Sequence, residues 1–266
     1  MEESQAIIER VRRINPQYQQ LDLAVDASLS GLRPGQSVLA RLNSRWDPYL
    51  REHWWPVGIG NNRLVIERPG DMHYEPGQVV NLLGIIGQPY KFRSKLRNVL
   101  LIAYDTPPIP LLMTIPMLLS NKVSVTLALL GTAARYTTQH LAPEVEVIVQ
   151  NIDPQKDAGQ ENHERSKFEH LEWESSVMTI GWADQVFVAV APDDEMHRFS
   201  EVLAFLGEKR SEIPENYLFG VFRPVLPCGV GACQACMMRL RGKKDKDTAL
   251  ICLDGPALDL TTVQLA

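Results

Sequence analysis

The residues most able to do chemistry together are the cysteines. All four, Cys228, Cys233, Cys236 and Cys252, fall in residues 227–256 (PCGVGACQACMMRLRGKKDKDTALICLDGP) of a 266-residue chain. Their spacing is C-x4-C-x2-C-x15-C. It is the plant-type [2Fe–2S] spacing, in which three thiolates come from one tight loop and the fourth returns from further along. Gly229 and Gly231 allow that loop unusual backbone angles, and with Ala232 and Ala235 they keep side chains clear of it. Backbone N–H groups can then face the sulfurs. Three other readings compete. A four-thiolate zinc site usually shows two paired knuckles, and only one CxxC is present. A redox dithiol at Cys233 and Cys236 leaves two cysteines unexplained, and four core thiols would not cluster. The cysteines are therefore assigned as ligands of a [2Fe–2S] cluster.

Other catalytic constellations are missing from the sequence. The six histidines show no ligand or triad spacing, and there is no GxSxG, HExxH or P-loop. Net charge is −5, which offers no basic field for nucleic acid. The short basic run at residues 239–246 is broken by Asp245 and reads as a solvated loop. The N-terminus is acidic before any apolar run, unlike a secretory signal. The most apolar region, residues 99–134, is interrupted by Asp105, Lys122 and four prolines, so no membrane span is expected. These features predict a cytoplasmic protein, where clustered thiols bind metal or do redox chemistry.

The elements that must position the cysteines follow from hydrophobic patterning. Residues 5–14 have helical spacing, and Pro16 ends that segment. Short alternating runs at 20–25, 37–42, 63–67 and 79–83, separated by Pro/Gly/Asn turns, predict an antiparallel β-barrel. Apolar runs at 99–103, 123–130, 145–149 and 186–191, with candidate helices at 109–120, 133–141, 161–178 and 194–210, predict a parallel α/β sheet. The expected organisation is multidomain β plus α/β: an N-terminal helix (1–16), a β-barrel (17–95), an α/β domain (96–213) and a small [2Fe–2S] domain (214–266).

This order, with CGVGACQAC and then CLDGPALDL, resembles the electron-transfer subunit family of dihydroorotate dehydrogenase, ferredoxin-reductase-like flavoproteins. The resemblance covers residues 18–266 and is most specific near the C-terminus. It implies a relay in which NADH reduces FAD, a [2Fe–2S] cluster passes electrons on, and the FMN of a catalytic partner subunit exchanges them with orotate or dihydroorotate. It implies a hetero-oligomer with a redox partner.

Placed residue by residue, the family's flavin strand falls on PYLREHWWPV. His53 stands at the phosphate-binding arginine, Trp54 at the proline and Trp55 at the aromatic position, followed by Pro56 and Val57, with Arg51 two residues before His53. Gly84 and Gly87 match a further glycine turn. The family's Gly-Thr pair is missing from ERPGDMHYEPGQ. These residues are the candidate FAD contacts. The nucleotide turn after the first α/β strand reads Tyr104-Asp105-Thr106-Pro107-Pro108, with no glycine, and Pro192-Asp193-Asp194-Glu195 is acidic. Prolines remove N–H donors and acids repel phosphate, so NAD(P) is not expected. The leading expectation is an electron-transfer subunit that does no bond-making on substrate. The alternatives are an iron–sulfur scaffold or redox sensor, and a complete NADH-oxidising flavoprotein.

Overall fold

The structure, a computed structural model, describes residues 2–42, 50–150, 168–241 and 247–265. Its first sheet is antiparallel. The strands are β1 (Glu2–Arg13), β2 (Tyr18–Ala24), β3 (Ser37–Arg41), β4 (Glu52–Trp54), β5 (Pro56–Gly60), β6 (Arg63–Pro69) and β7 (Val79–Ile86), in the order β4-β3-β7-β1-β2-β6-β5. They curl around a core that includes Ile8, Leu21, Leu23, Val38, Trp54, Leu64 and Leu82.

The expected N-terminal helix is instead β1, paired with both β2 and β7. A bulge between Ile8 and Arg10 shifts its inward face by one residue. Ala6 and Ile8 are buried and Val11 packs against the same core, while Ile7 is exposed. Inward spacings of two and then three imitate a helical pattern, and pairing on both sides overrides local propensity.

The second sheet contains β8 (Asn98–Tyr104), β9 (Ser124–Leu130), β10 (Glu146–Gln150), β11 (Gln185–Val190) and β12 (Leu218–Val221) in parallel, closed at one edge by antiparallel β15 (Ala257–Asp259). The order is β10-β9-β8-β11-β12-β15. Alternate residues of β8 enter opposite cores: Val99, Leu101 and Ala103 on one face, Leu100, Ile102 and Tyr104 on the other. Helices α1 (Ile109–Leu112) and α2 (Thr114–Ser120) cover the first face through Leu111, Ile115 and Leu118. Helices α3 (Ser176–Trp182) and α4 (Glu195–Lys209) cover the second through Ile180, Phe199, Val202 and Phe205.

One further expectation is corrected. The segment 133–141 forms only a 3-10 turn over Gly131–Arg135, because Tyr136 leaves the helical path to reach the barrel's Glu67. The candidate helix 161–178 lies largely outside the described residues; its described part holds a 3-10 turn at Glu169–Leu171 and the start of α3. The α/β sheet runs across the expected boundary at residue 214. Buried β12 and later β15 both belong to the α/β sheet, so the cysteine segment emerges from one strand and returns as its neighbour. Between them lie β13 (Met237–Arg239), paired with β14 (Thr248–Leu250), and the short α5 (Ile251–Asp254).

Candidate metal centre and the adjoining interdomain cleft

The loop after Pro227 carries three cysteines in a path made possible by positive φ angles at Gly229 (66°), Gly231 (78°) and Gln234 (58°). Gly231 suits the point where the loop closes on α5 because its φ of 78° is one that side chains rarely adopt; an added Cβ would also press on Leu253 Cδ1 at 2.5 Å. The thiols form two pairs. The Cys233 amide donates to Cys228 Sγ at 3.4 Å. Cys236 and Cys252 Sγ atoms lie 3.4 Å apart, and the Cys252 amide donates to Cys236 Sγ at 3.5 Å. Cys233 is exposed, Cys228 half-buried, and Cys236 and Cys252 are buried.

The electrostatics of the two pairs differ. Burial raises Cys228, but N–H groups of Cys233, Val230 and Ala232 outweigh it and hold the thiol down at about 7. Burial first, and then the hydrogen bond and charge of Cys236, push Cys252 up to about 12. A thiol of that kind is deprotonated by metal rather than by solvent. Among the described residues no group of three His, Cys, Asp or Glu side chains is placed around a single ion. Two thiol pairs with amides aimed at sulfur fit a two-iron centre, two ligands to each iron.

The barrel reaches this segment directly. Gly87, at φ 78°, donates its amide to the Cys252 carbonyl at 3.1 Å, and Gln88 bonds the Gly255 and Leu253 carbonyls. A side chain at Gly87 would meet Gly255 O at 2.9 Å. Gly84 is explained by packing: a Cβ there would lie 2.8 Å from Val38 Cγ1.

The tryptophan pair splits because neighbouring strand residues face opposite sides. Trp54 fills the barrel core, its Nε1 donating to Glu52 Oε2 at 3.0 Å. Trp55 packs in the interdomain core with Tyr90, against His53 at 4.7 Å between ring centroids. His53 Nε2 shares a 2.6 Å hydrogen bond with Ser37 Oγ. Burial, together with the charge of Arg223, lowers His53 to about 3, so it brings no cation to the arginine position. Arg51 is held by Glu3 Oε1 at 2.6 Å and by the Asn81 carbonyl at 3.3 Å. Pro56 is buried opposite Ile66. Val57 lines a cleft of about 620 Å³ with Tyr90, Phe92, Met113, Met117 and Arg33. That volume suits a cofactor-sized ligand.

Two groups carry no local sequence signal. Arg223, just after β12, donates to Thr106 Oγ1 at 3.0 Å and to the Val190 carbonyl, and its own amide donates to Glu195 Oε1 at 2.7 Å. Burial raises Glu195 to about 7 despite this neighbour. Glu67 of β6 is buried, accepts from Tyr136 Oη at 2.7 Å, and is likewise pushed up to about 7 by burial.

Comparison with known proteins supports the geometry. Residues 224–264 match the family described as the iron-sulfur cluster binding domain of dihydroorotate dehydrogenase B. The electron transfer subunit of dihydroorotate dehydrogenase B (NAD(+)) from Streptococcus mutans serotype c is 30% identical over 77 residues, which is 29% of this chain and 26% of that protein. The match thus spans about a quarter of the curated relative. Among solved structures, the NADH-dependent reduced ferredoxin-NADP oxidoreductase aligns over 98% of this chain and 90% of its own, with a TM-score of 0.68 and 14% identity. Phthalate dioxygenase reductase aligns over 98% and 94%, with a TM-score of 0.57 and 10% identity. The chain therefore has a ferredoxin-reductase-like fold, and its cysteine segment resembles the iron–sulfur domain of dihydroorotate dehydrogenase B electron-transfer subunits.

Proposed function

We propose that the protein is an electron-transfer subunit that relays electrons between a flavin and a partner redox protein. The observation that carries this reading is the pair of thiol pairs on a glycine-shaped loop, within the segment that matches an iron–sulfur family. Cys228 and Cys233 would hold one iron, and Cys236 and Cys252 the other. A [2Fe–2S] cluster so held accepts and releases one electron at a time. The chain's own contribution is positional: backbone amides at the sulfurs, one pair buried where Cys236 meets α5 and the other near solvent.

FAD is proposed for the cleft lined by Val57 and Tyr90, beside Trp55 and His53, on the strength of the fold. His53 and Arg51 do not offer a free cation for its phosphates. Arg33, the charged residue among those lining the cleft, is proposed instead. Gly87 links this wall to Cys252, a direct covalent and hydrogen-bonded route from cleft to cluster segment.

The proposed partner surface surrounds the exposed edge of the loop. Val225, Val230, Met237 and Leu253 are all exposed there, an apolar grouping of the kind that marks a docking site. A partner subunit of the dihydroorotate dehydrogenase type, in pyrimidine biosynthesis, is the reading the curated relative favours. Among the described residues no helix is long and apolar enough to cross a membrane.

The deciding measurement is iron, acid-labile sulfide, zinc and released flavin on anaerobically purified protein, with electron paramagnetic resonance after reduction. Two irons and two sulfides per chain with a rhombic reduced signal support the relay. Zinc without sulfide after iron-replete expression would overturn it.

A further inference from the structure

In the family this chain resembles, the turn after β8 is the glycine-rich seat of dinucleotide phosphates. Here the turn begins with Asp105, in the left-handed region at φ 54°, which short polar side chains enter when they bond locally. Its carboxylate does not face solvent freely. Oδ1 accepts the Thr132 N–H at 2.9 Å, and Oδ2 is bound by the Arg198 guanidinium. Its own amide donates to the Leu130 carbonyl at 3.1 Å. Three elements therefore meet on one side chain: the end of β8, the turn after β9, and α4.

The surroundings are shaped to that carboxylate. Gly131, at φ 60°, stands where any Cβ would collide with Asp105 Oδ1. Arg198 lies over the Tyr104 ring at 5.1 Å, its Nε is buried without a hydrogen-bond partner, and Asp193 approaches it only at 4.0 Å. A guanidinium plus a backbone N–H following a positive-φ glycine are the donors that proteins use for phosphate oxygens. In this chain both already donate to an acid of its own, the guanidinium through one of its nitrogens.

We propose that Asp105 is a built-in anion: its carboxylate fills a seat, formed by the Thr132 N–H and the Arg198 guanidinium, that otherwise accepts a phosphate or diphosphate group. The mismatch with a dinucleotide is then not erosion of a site but occupation of one. The donors persist, and a single side chain blocks them. Replacing Asp105 by glycine deletes the blocking acceptor, relieves the positive φ and leaves Arg198 with only the more distant Asp193 as an acidic neighbour.

The test is titration of the folded full-length chain with inorganic pyrophosphate, and separately with NADH, by calorimetry and by melting temperature. Asp105→Gly should bind pyrophosphate at least about tenfold more tightly than the natural chain, the value of one charge-assisted hydrogen bond. Asp105→Asn, whose amide oxygen still fills the seat, should show no such gain, and adding Arg198→Gln to Asp105→Gly should abolish it. NADH binding in the same order identifies a dinucleotide as the source of the diphosphate; pyrophosphate binding alone identifies a free anion; both support the seat. If the glycine variant does not fold, Asp105→Ser repeats the comparison. A folded variant with no gain over the natural chain overturns the proposal, as does a gain that survives loss of Arg198. The readout is binding, so its outcome is separate from that of the cluster assignment.

Discussion

The backbone amide of Gly87 donates to the carbonyl oxygen of Cys252 at 3.1 Å, joining the end of the barrel's β7 to the fourth thiol of the cysteine set. The approach is possible only because Gly87 has no side chain and sits at φ 78°. Gly87→Val should destabilise the chain by about 1–3 kcal/mol. It should also loosen the cluster segment from the barrel. The check is a lower melting temperature with faster bleaching of the cluster's visible absorbance on exposure to air.

Cys252→Ser should abolish the two-iron centre and leave the fold standing. The barrel and the α/β sheet have large cores that do not depend on the thiols. Iron and sulfide should fall to background and the reduced resonance signal should vanish, with the far-ultraviolet circular dichroism unchanged. Wholesale unfolding would instead show that the cluster serves to hold the structure together.

Arg223 and Glu195 form a largely buried pair, with side chains 15% and 11% exposed. Arg223→Leu strips the donor from Thr106 and the Val190 carbonyl and leaves Glu195 without its neighbouring charge. The expected loss is about 3–5 kcal/mol. Adding Glu195→Gln should recover part of it, because a neutral amide costs less to bury than an unpaired carboxylate. Chemical denaturation of the four members of the cycle measures the coupling.

Glu67 gives the chain a pH dependence of definite sign. Burial raises its carboxyl from 4.5 to about 7, so between those values the folded state keeps a proton that the unfolded state has released. Stability therefore falls as pH rises through that window, and the loss is complete above about 7. Glu67→Gln keeps an acceptor for Tyr136 and removes the titration. The variant should match the natural chain near pH 5 and exceed it by roughly 1–3 kcal/mol near pH 8. Glu195, raised in the same direction, leaves a residual slope in the variant. Melting curves across that range check the difference.

β8, β9 and β11 were legible because each is a short, apolar run rich in β-branched residues and buried on both faces; β8 and β11 fall within one residue of their expected limits at each end, whereas β12 was not read as a strand. The cysteine segment was legible because cluster chemistry dictates spacing along the chain. β1 was not, since its bulge breaks the period of two that identifies a strand. Nor were Glu67 and Tyr136, which are 69 positions apart and meet only through the packing of two sheets. The stretch read as the flavin strand does form strands, β4 and β5, but the partners of its polar groups were not legible: Arg51 turns to Glu3, and His53 settles against Ser37.

The strands flanking the cysteine segment are hydrogen-bonded neighbours, β12 before it and β15 after it. Both ends of the segment are thus anchored at sheet spacing, about 5 Å apart, by contacts that need no iron. Bringing the fourth thiol back to the loop is then a local closure on a finished scaffold rather than a condition for folding, and the entropy to be overcome is that of a short loop. Maturation can follow synthesis: an iron-free chain can wait, already folded, as an acceptor for cluster delivery, and a chain that has lost its cluster to oxidation can be reloaded without passing through the unfolded state.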